Sequence, residues 1–322
     1  NGSVFLVNSA GITFGNGSQV NVGGLVASTL WLSDVDFANG LATGRYVFDG
    51  FNGDTSPTHE VRNNGDITAG AGGAGFVGPT LWNRGSITTN GGNIGFGAGT
   101  QVTLDFVGDG LTQVTINVPP TEDSAIIQDR FGAMTADGGR ILLRTAATAG
   151  GTGGVIYASG ALRAQTIANV NGRIELTSDG GPVMVGAPGI LSDAGTPFTA
   201  GAIDVSGGVG ETGGSVLISG NGVAIVNEDD NPLAPIDPFS IGSSIDATGE
   251  AGGGSIAINS TGDILALGLT RINASGAFTG TGGSIDLVAS GGSINLYGDL
   301  LATGGKVGGN GGAIRIDARD DI

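Results

Sequence analysis

The sequence predicts an all-β chain wound as a right-handed parallel β-helix, with a hairpin and loops outside the coils. Three observations predict it. Gly253-Gly254-Ser255-Ile256 returns as Gly282-Gly283-Ser284-Ile285 and again as Gly311-Gly312-Ala313-Ile314, each time 29 residues later. Each copy opens an alternating strand, so one face is buried, and the fixed spacing places that face against the neighbouring copy. Two further motifs keep step with the first. One reads Ile203-Asp204, Ile245-Asp246, Ile272-Asn273 and Leu300-Leu301; the other reads Ile264-Leu265-Ala266 and Ile294-Asn295-Leu296. Three strands per coil give a triangular section, and right-handed winding is the hand that parallel crossovers favour. The third observation is composition: 66 of 322 residues are glycine and only 13% are charged. Such a chain has the corners of a solenoid and a surface of Ser, Thr and Asn.

In order along the chain, residues 1–32 hold short strands at Val4–Val7, Ile12–Phe14, Gln19–Val22 and Leu25–Leu30, broken by Gly and Asn corners. Residues 33–60 break this rhythm, with Ser33-Asp34-Val35-Asp36-Phe37, a short Ala/Gly stretch and Arg45-Tyr46-Val47-Phe48. Coils resume at Asn64-Gly65-Asp66-Ile67-Thr68 and, 20 residues on, at Arg84-Gly85-Ser86-Ile87-Thr88, so the early coils are shorter than the late ones. Val102–Phe106 and Leu111–Val118 flank Gly108-Asp109-Gly110, the pattern of an antiparallel hairpin, and Pro119-Pro120 ends it. From Gly138 onward coil follows coil. An upstream copy at Gly213-Gly214-Ser215 precedes the next by 40 residues, and the excess falls on a loop inserted at 227–239. Asp286 and Arg315 take equivalent outward positions one period apart, which predicts a stacked ion pair.

Several stretches here resemble the N-terminal secretion domain of filamentous-haemagglutinin-type exoproteins of Gram-negative bacteria, which are exported by two-partner secretion. They are Val4-Phe5-Leu6-Val7-Asn8, Gly11-Ile12-Thr13-Phe14-Gly15, Gln19 through Thr29, and Leu104-Asp105-Phe106 with Gly108 through Leu111. The family's Asn-Pro-Asn-Gly turn is Asn8-Ser9-Ala10-Gly11 in this chain, so Asn8 and Gly11 are the residues kept at a secretion-motif-like turn. The resemblance implies two parts, a partial secretion domain over 1–143 and a repeat region over 144–322 with coils of about 27–29 residues. It implies an outer-membrane transporter as export partner, a secreted or cell-surface location, and a receptor or glycan outside the cell. Both ends of the sequence read as cut, the expectation for a mature fragment of something longer.

Bulk properties exclude some classes. The net charge of −17 and a single lysine, Lys306, leave no basic footprint for nucleic acid. No run of 18 apolar residues occurs, so no helical membrane insertion is expected. Cysteine is absent, which suits an exported chain.

β-Helices also host glycan-degrading enzymes: lyases cluster several Asp with a Lys or Arg base, and glycosidases need two carboxylates about 5–10 Å apart. Asp204 and Asp246 are the candidates, but Asn273 and Leu301 break that ladder in the next coils, so solvated turn positions are the plainer reading. Glu228-Asp229-Asp230 with Asp237 has the oxygens for calcium, against the plainer reading of an acidic solvated loop; Asp105, Asp109 and Gly110 read as a turn. His59 sits beside a Pro-containing turn without a Ser or Cys partner. Trp31, Trp82, Phe96 and Phe106 are read as core or capping aromatics before a sugar platform. No catalytic residue, cofactor or metal is assigned. The expected function is a non-catalytic adhesin or fibre-like stalk; the alternative is a self-assembling extracellular filament subunit, and a polysaccharide-degrading enzyme ranks third.

Overall fold

The computed structural model describes residues 2–50, 59–107, 110–119, 125–147, 153–168, 170–186, 201–226 and 242–322. Its strands stack in three parallel columns, one per side of the predicted triangle. The first column carries the Ile-Asp motif: Ile203, Ile245, Ile272 and Leu300 align rung on rung. In the second column Ile256, Ile285 and Ile314 do the same. The third column stacks Val223, Ile264 and Ile294. The early coils also stack as predicted, with Ile67 on Ile87.

Inside, like sits on like. Phe76 and Phe96 are register partners with ring centroids 4.7 Å apart, and Leu143 follows them. Each fully buried Ile, Leu or Phe in this column contributes about 1.5–3 kcal/mol. The repeated Gly-Gly pair has a steric cause at the corner between the first and second columns. A Cβ on Gly254 would strike the Gly214 carbonyl oxygen, one on Gly283 the Gly254 oxygen, and one on Gly312 the Gly283 oxygen. The coils touch backbone to backbone there, which only glycine allows.

Two excursions leave the helix after second-column strands. One follows Gln19–Ser28 and the other follows Ile94–Ala98. Sharing this exit corner, they meet outside the second column. The expected hairpin forms, Gln101–Val107 pairing antiparallel with Gly110–Val118, and Arg45–Asp49 adds to its other side. Gly108 and Asp109 lie outside the described residues.

The first excursion also contains an α-helix, Asp34–Thr43, that the sequence reading did not anticipate. Ser33 caps it by accepting from the Asp36 N–H at 3.0 Å, Asp34 and Asp36 favour its first turn, and Gly44 ends it in the left-handed region. The insertion at 227–239 lies outside the described residues. Its flanks, Val223–Ile225 and Ser244–Asp246, stand in the third and first columns.

Candidate functional site

The three-stranded sheet and the helix dock on the outward side of the second column. Glycines make this seat. A Cβ on Gly75 would lie 2.9 Å from Leu104, one on Gly95 would lie 2.6 Å from Leu111, and one on Gly97 would lie 2.6 Å from Val102. Over that flat strip pack Val102, Leu104, Leu111 and Val114, all fully buried, with Val26, Val77 and Leu142 from the coils beneath. This second core lies outside the helix yet is as dry as the first.

An aromatic cluster closes one edge of it. Tyr46 centres the group, with ring centroids 4.9 Å from Phe5, 6.1 Å from Phe37 and 5.6 Å from Phe106. Burial pushes the Tyr46 phenol above its ordinary range. Phe5 belongs to the strand Ser3–Val7, so the cluster fastens the first coil to the helix and the docked sheet.

The secretion-motif-like turn follows that strand directly. The Asn8 N–H donates to the Ser28 carbonyl at 3.0 Å, tying the turn to the next coil. Gly11 N–H donates to the Asn8 carbonyl at 3.1 Å and closes it. The Asn8 side chain works twice, accepting from the Ala10 N–H at 3.1 Å and donating to the Gly11 carbonyl at 3.0 Å. Gly11 has φ +110° with its nearest non-neighbour atom 3.6 Å from a built Cβ, so conformation rather than space requires glycine. Asn8 and Gly11 are thus brought together as the two ends of one exposed turn. Ser9 and Ala10 fill its middle, and a side-chain amide at Asn8 is what an Asx-type turn uses.

The remaining candidates disperse. Asp204 and Asp246 are register neighbours, and each accepts from a backbone N–H two residues on, Ser206 at 2.9 Å and Thr248 at 2.8 Å. Asn273 does the same for Ser275 at 3.1 Å. The column is therefore a stack of turn caps. Glu228, Asp229, Asp230 and Asp237 lie outside the described residues, and among the described residues no metal-binding cluster forms.

Asp105 lies 3.6 Å from Arg45 on the next strand. His59 accepts at its carbonyl from the Thr29 hydroxyl at 3.2 Å. Phe96 is buried in the coil core and Phe106 packs in the aromatic cluster. Trp82 lies under the Arg62 guanidinium at 4.3 Å, and Trp31 pairs its backbone with Asp49.

One feature escaped the sequence reading. Asn63, Asn83 and Gln128 stack inside the helix at successive third-column ends, each fully buried or nearly so. Asn63 Nδ2 donates to Asn83 Oδ1, and Asn83 Nδ2 donates to Gln128 Oε1, both at 2.8 Å. The signal was an Asn-x-Gly spelling repeated after 20 residues, Asn63–Gly65 and Asn83–Gly85.

Comparison with known proteins agrees with this architecture. Comparison with curated proteins returned no match. Among solved structures the chain is similar to the crystal structure of the HMW1 secretion domain from Haemophilus influenzae, with a TM-score of 0.67 and 22% identity. That match covers 100% of this chain and 76% of the other; at this identity it supports the fold, a β-helix, alone. The family model of the TPS secretion domain matches residues 1–189, a span that takes in the Asn8–Gly11 turn, the glycine strip and the docked sheet. With more than half of its length matched, the chain belongs to the TPS secretion domain family: an exported two-partner-secretion exoprotein of Gram-negative bacteria, whose export partner is an outer-membrane transporter.

Proposed function

We propose that this chain serves a non-catalytic surface exoprotein, an adhesin or fibre-like stalk, and that the Asn8–Gly11 turn is the feature its transporter reads. The observation that carries the reading is the turn itself. It is held by four hydrogen bonds, yet it stays at the surface beside the first strand. A rigid, exposed loop at the edge of a repetitive helix is a distinctive mark on an otherwise uniform surface. Beyond it, the stacked columns run to Ala313–Ala318 and make a stiff spacer for presenting contacts to a receptor or glycan.

The test is co-expression with the transporter and measurement of the secreted fraction. Asn8→Ala and Gly11→Val are expected to lower export about tenfold while the purified chain keeps its strand signal in circular dichroism. Export at the parent level from both variants would refute a role for the turn. Binding of the purified chain to host cells or a glycan array checks the adhesin part. Long fibres growing with concentration would replace that part with a self-assembling filament subunit.

A further inference from the structure

Asn-Gly pairs mark turns, and they are also places where the backbone can attack a side chain. Glycine has no side chain to shield its nitrogen. That nitrogen reaches Cγ of the preceding asparagine through a five-membered ring, provided its N–H is free and the asparagine amide can turn toward it. The chain spells this pair at corner after corner, and the structure holds the copies differently.

Most copies are held fast. The buried Gly65 N–H donates to Asn63 Oδ1 at 3.0 Å. The buried Gly172 N–H, after Asn171, donates to the Thr166 hydroxyl at 3.4 Å. At Asn221-Gly222 both reacting groups are occupied. The Gly222 N–H donates to Ser260 Oγ at 3.0 Å, and Asn221 Oδ1 accepts from the Thr261 hydroxyl at 3.1 Å. Asn39-Gly40 lies within the helix Asp34–Thr43 with Gly40 buried. Asn310 is anchored by its carbonyl, which accepts from the Gly282 N–H at 2.8 Å.

Asn16-Gly17 and Asn90-Gly91 are not held in this way. All four residues are exposed. Among the described residues, neither glycine N–H and neither asparagine side chain has a hydrogen-bond partner. Both glycines have φ +75°, and a built Cβ meets nothing within 4 Å at either. The first pair forms the corner between Ile12–Phe14 and Gln19–Ser28, and the second the corner between Ser86–Thr89 and Ile94–Ala98.

We infer that Asn16 and Asn90 are sites of spontaneous covalent modification in the folded chain, by loss of the side-chain amide through a succinimide. The glycine nitrogen bonds to Cγ, the Cγ–Nδ2 bond breaks, and ammonia leaves with the glycine N–H proton. Solvent water then opens the ring. Attack at the side-chain carbonyl gives aspartate, and attack at the main-chain carbonyl gives isoaspartate, whose backbone runs through Cβ. Nothing is oxidised or reduced. Each event adds a negative charge to a chain already at −17. Isoaspartate also lengthens the corner by one methylene, beside the bonds that tie it to neighbouring coils. Those are Asp66 N–H to the Ser18 carbonyl at 2.8 Å and Asn90 N–H to the Ala69 carbonyl at 2.9 Å.

The inference is independent of the export reading, because its test follows the purified chain alone. The chain is incubated in mildly alkaline buffer and mapped by peptide mass spectrometry, with isoaspartate labelled by a carboxyl methyltransferase. Amide loss at Asn16 and Asn90 is expected at least tenfold faster than at Asn64, Asn171 and Asn221, which must open locally before they react. In urea strong enough to unfold the chain, all five should react at similar rates. Asn16→Gln, whose ring would be one atom larger, should silence its own corner and leave Asn90 unchanged. Asn90→Gln should do the converse.

Equal rates at all five sites in the native chain would overturn the inference. So would intact Asn16 and Asn90 under conditions in which the unfolded chain reacts. Reaction at one corner alone would overturn the assignment of the other.

Discussion

Asn63 and Asn83 meet inside the β-helix, the Asn63 amide donating to the Asn83 carbonyl oxygen at 2.8 Å with the two residues 1% and 0% exposed. Asn83 hands the bond on to Gln128, and Asn63 accepts from the Gly65 N–H at 3.0 Å. Replacing Asn83 with Leu keeps the branched outline, with bulkier methyl groups, but strands a buried donor on Asn63 and a buried acceptor on Gln128. The expected loss is about 2–5 kcal/mol. Urea unfolding checks it, and a midpoint equal to the parent's would show that the ladder does not stabilise the coils.

Gly95→Val tests the seat of the docked sheet. The new side chain meets Leu111 and Val114 before it meets anything in the coil. The coils should therefore stay intact while the sheet lifts, at about 1–3 kcal/mol. Hydrogen exchange resolves the two layers. Fast exchange confined to Gln101–Val107 and Gly110–Val118 is the expected result, and global destabilisation would contradict it.

Tyr46 makes the aromatic cluster sensitive to alkaline pH. Burial raises its pKa, so the folded state prefers the neutral phenol. The stabilisation is complete below the unfolded value near about pH 10 and is lost as pH rises through the higher folded value. Melting curves from about pH 8 to 11 should show an alkaline loss in the parent that Tyr46→Phe lacks. Equal slopes would remove Tyr46 as its source.

Arg315 lies 3.5 Å from Asp286 in the coil before it and 2.7 Å from Asp317 in its own strand. The pair confirms the register expected from the 29-residue period. Its side chains are 61% and 44% exposed, so solvent screens the attraction. Arg315→Ala should change stability by less than about 1 kcal/mol, with the difference shrinking further in salt. Unfolding at low and high ionic strength checks both statements.

The parts of the fold legible in the sequence are those that repeat. Ile256, Ile285 and Ile314 announce their column because each is buried by an identical neighbour at a constant offset. The hairpin was legible because Val102–Phe106 and Leu111–Val118 are close along the chain and separated by a Gly-Asp-Gly sequence. Asn8 and Gly11 were marked by the family resemblance, and the structure joins them as the ends of one turn because a turn is made by adjacent residues; their part in export is the proposal made above. The helix Asp34–Thr43 was not, although Ser33 and Gly44 are ordinary caps. Its sequence is short, is interrupted by Asn39 and Gly40, and carries a weak apolar stripe, and Phe37 packs against Phe5 and Tyr46 from other elements.

By itself, then, the sequence determined the coil: its period, its three strands, its glycine corners and the stacking of like side chains. These follow from local alternation and a constant spacing, which the coil stretches of the chain display. Tertiary structure alone decided the second core. Gly75, Gly95 and Gly97 look like any other glycines until Leu104, Leu111 and Val102 arrive from another excursion to lie on them. The amide ladder stands between the two, because Asn63 and Asn83 repeat an Asn-x-Gly spelling at a 20-residue spacing while Gln128 joins them only through the stacking of its coil. A contact between residues far apart in the chain leaves no period to read, so burial of this kind is visible only once the coils are stacked.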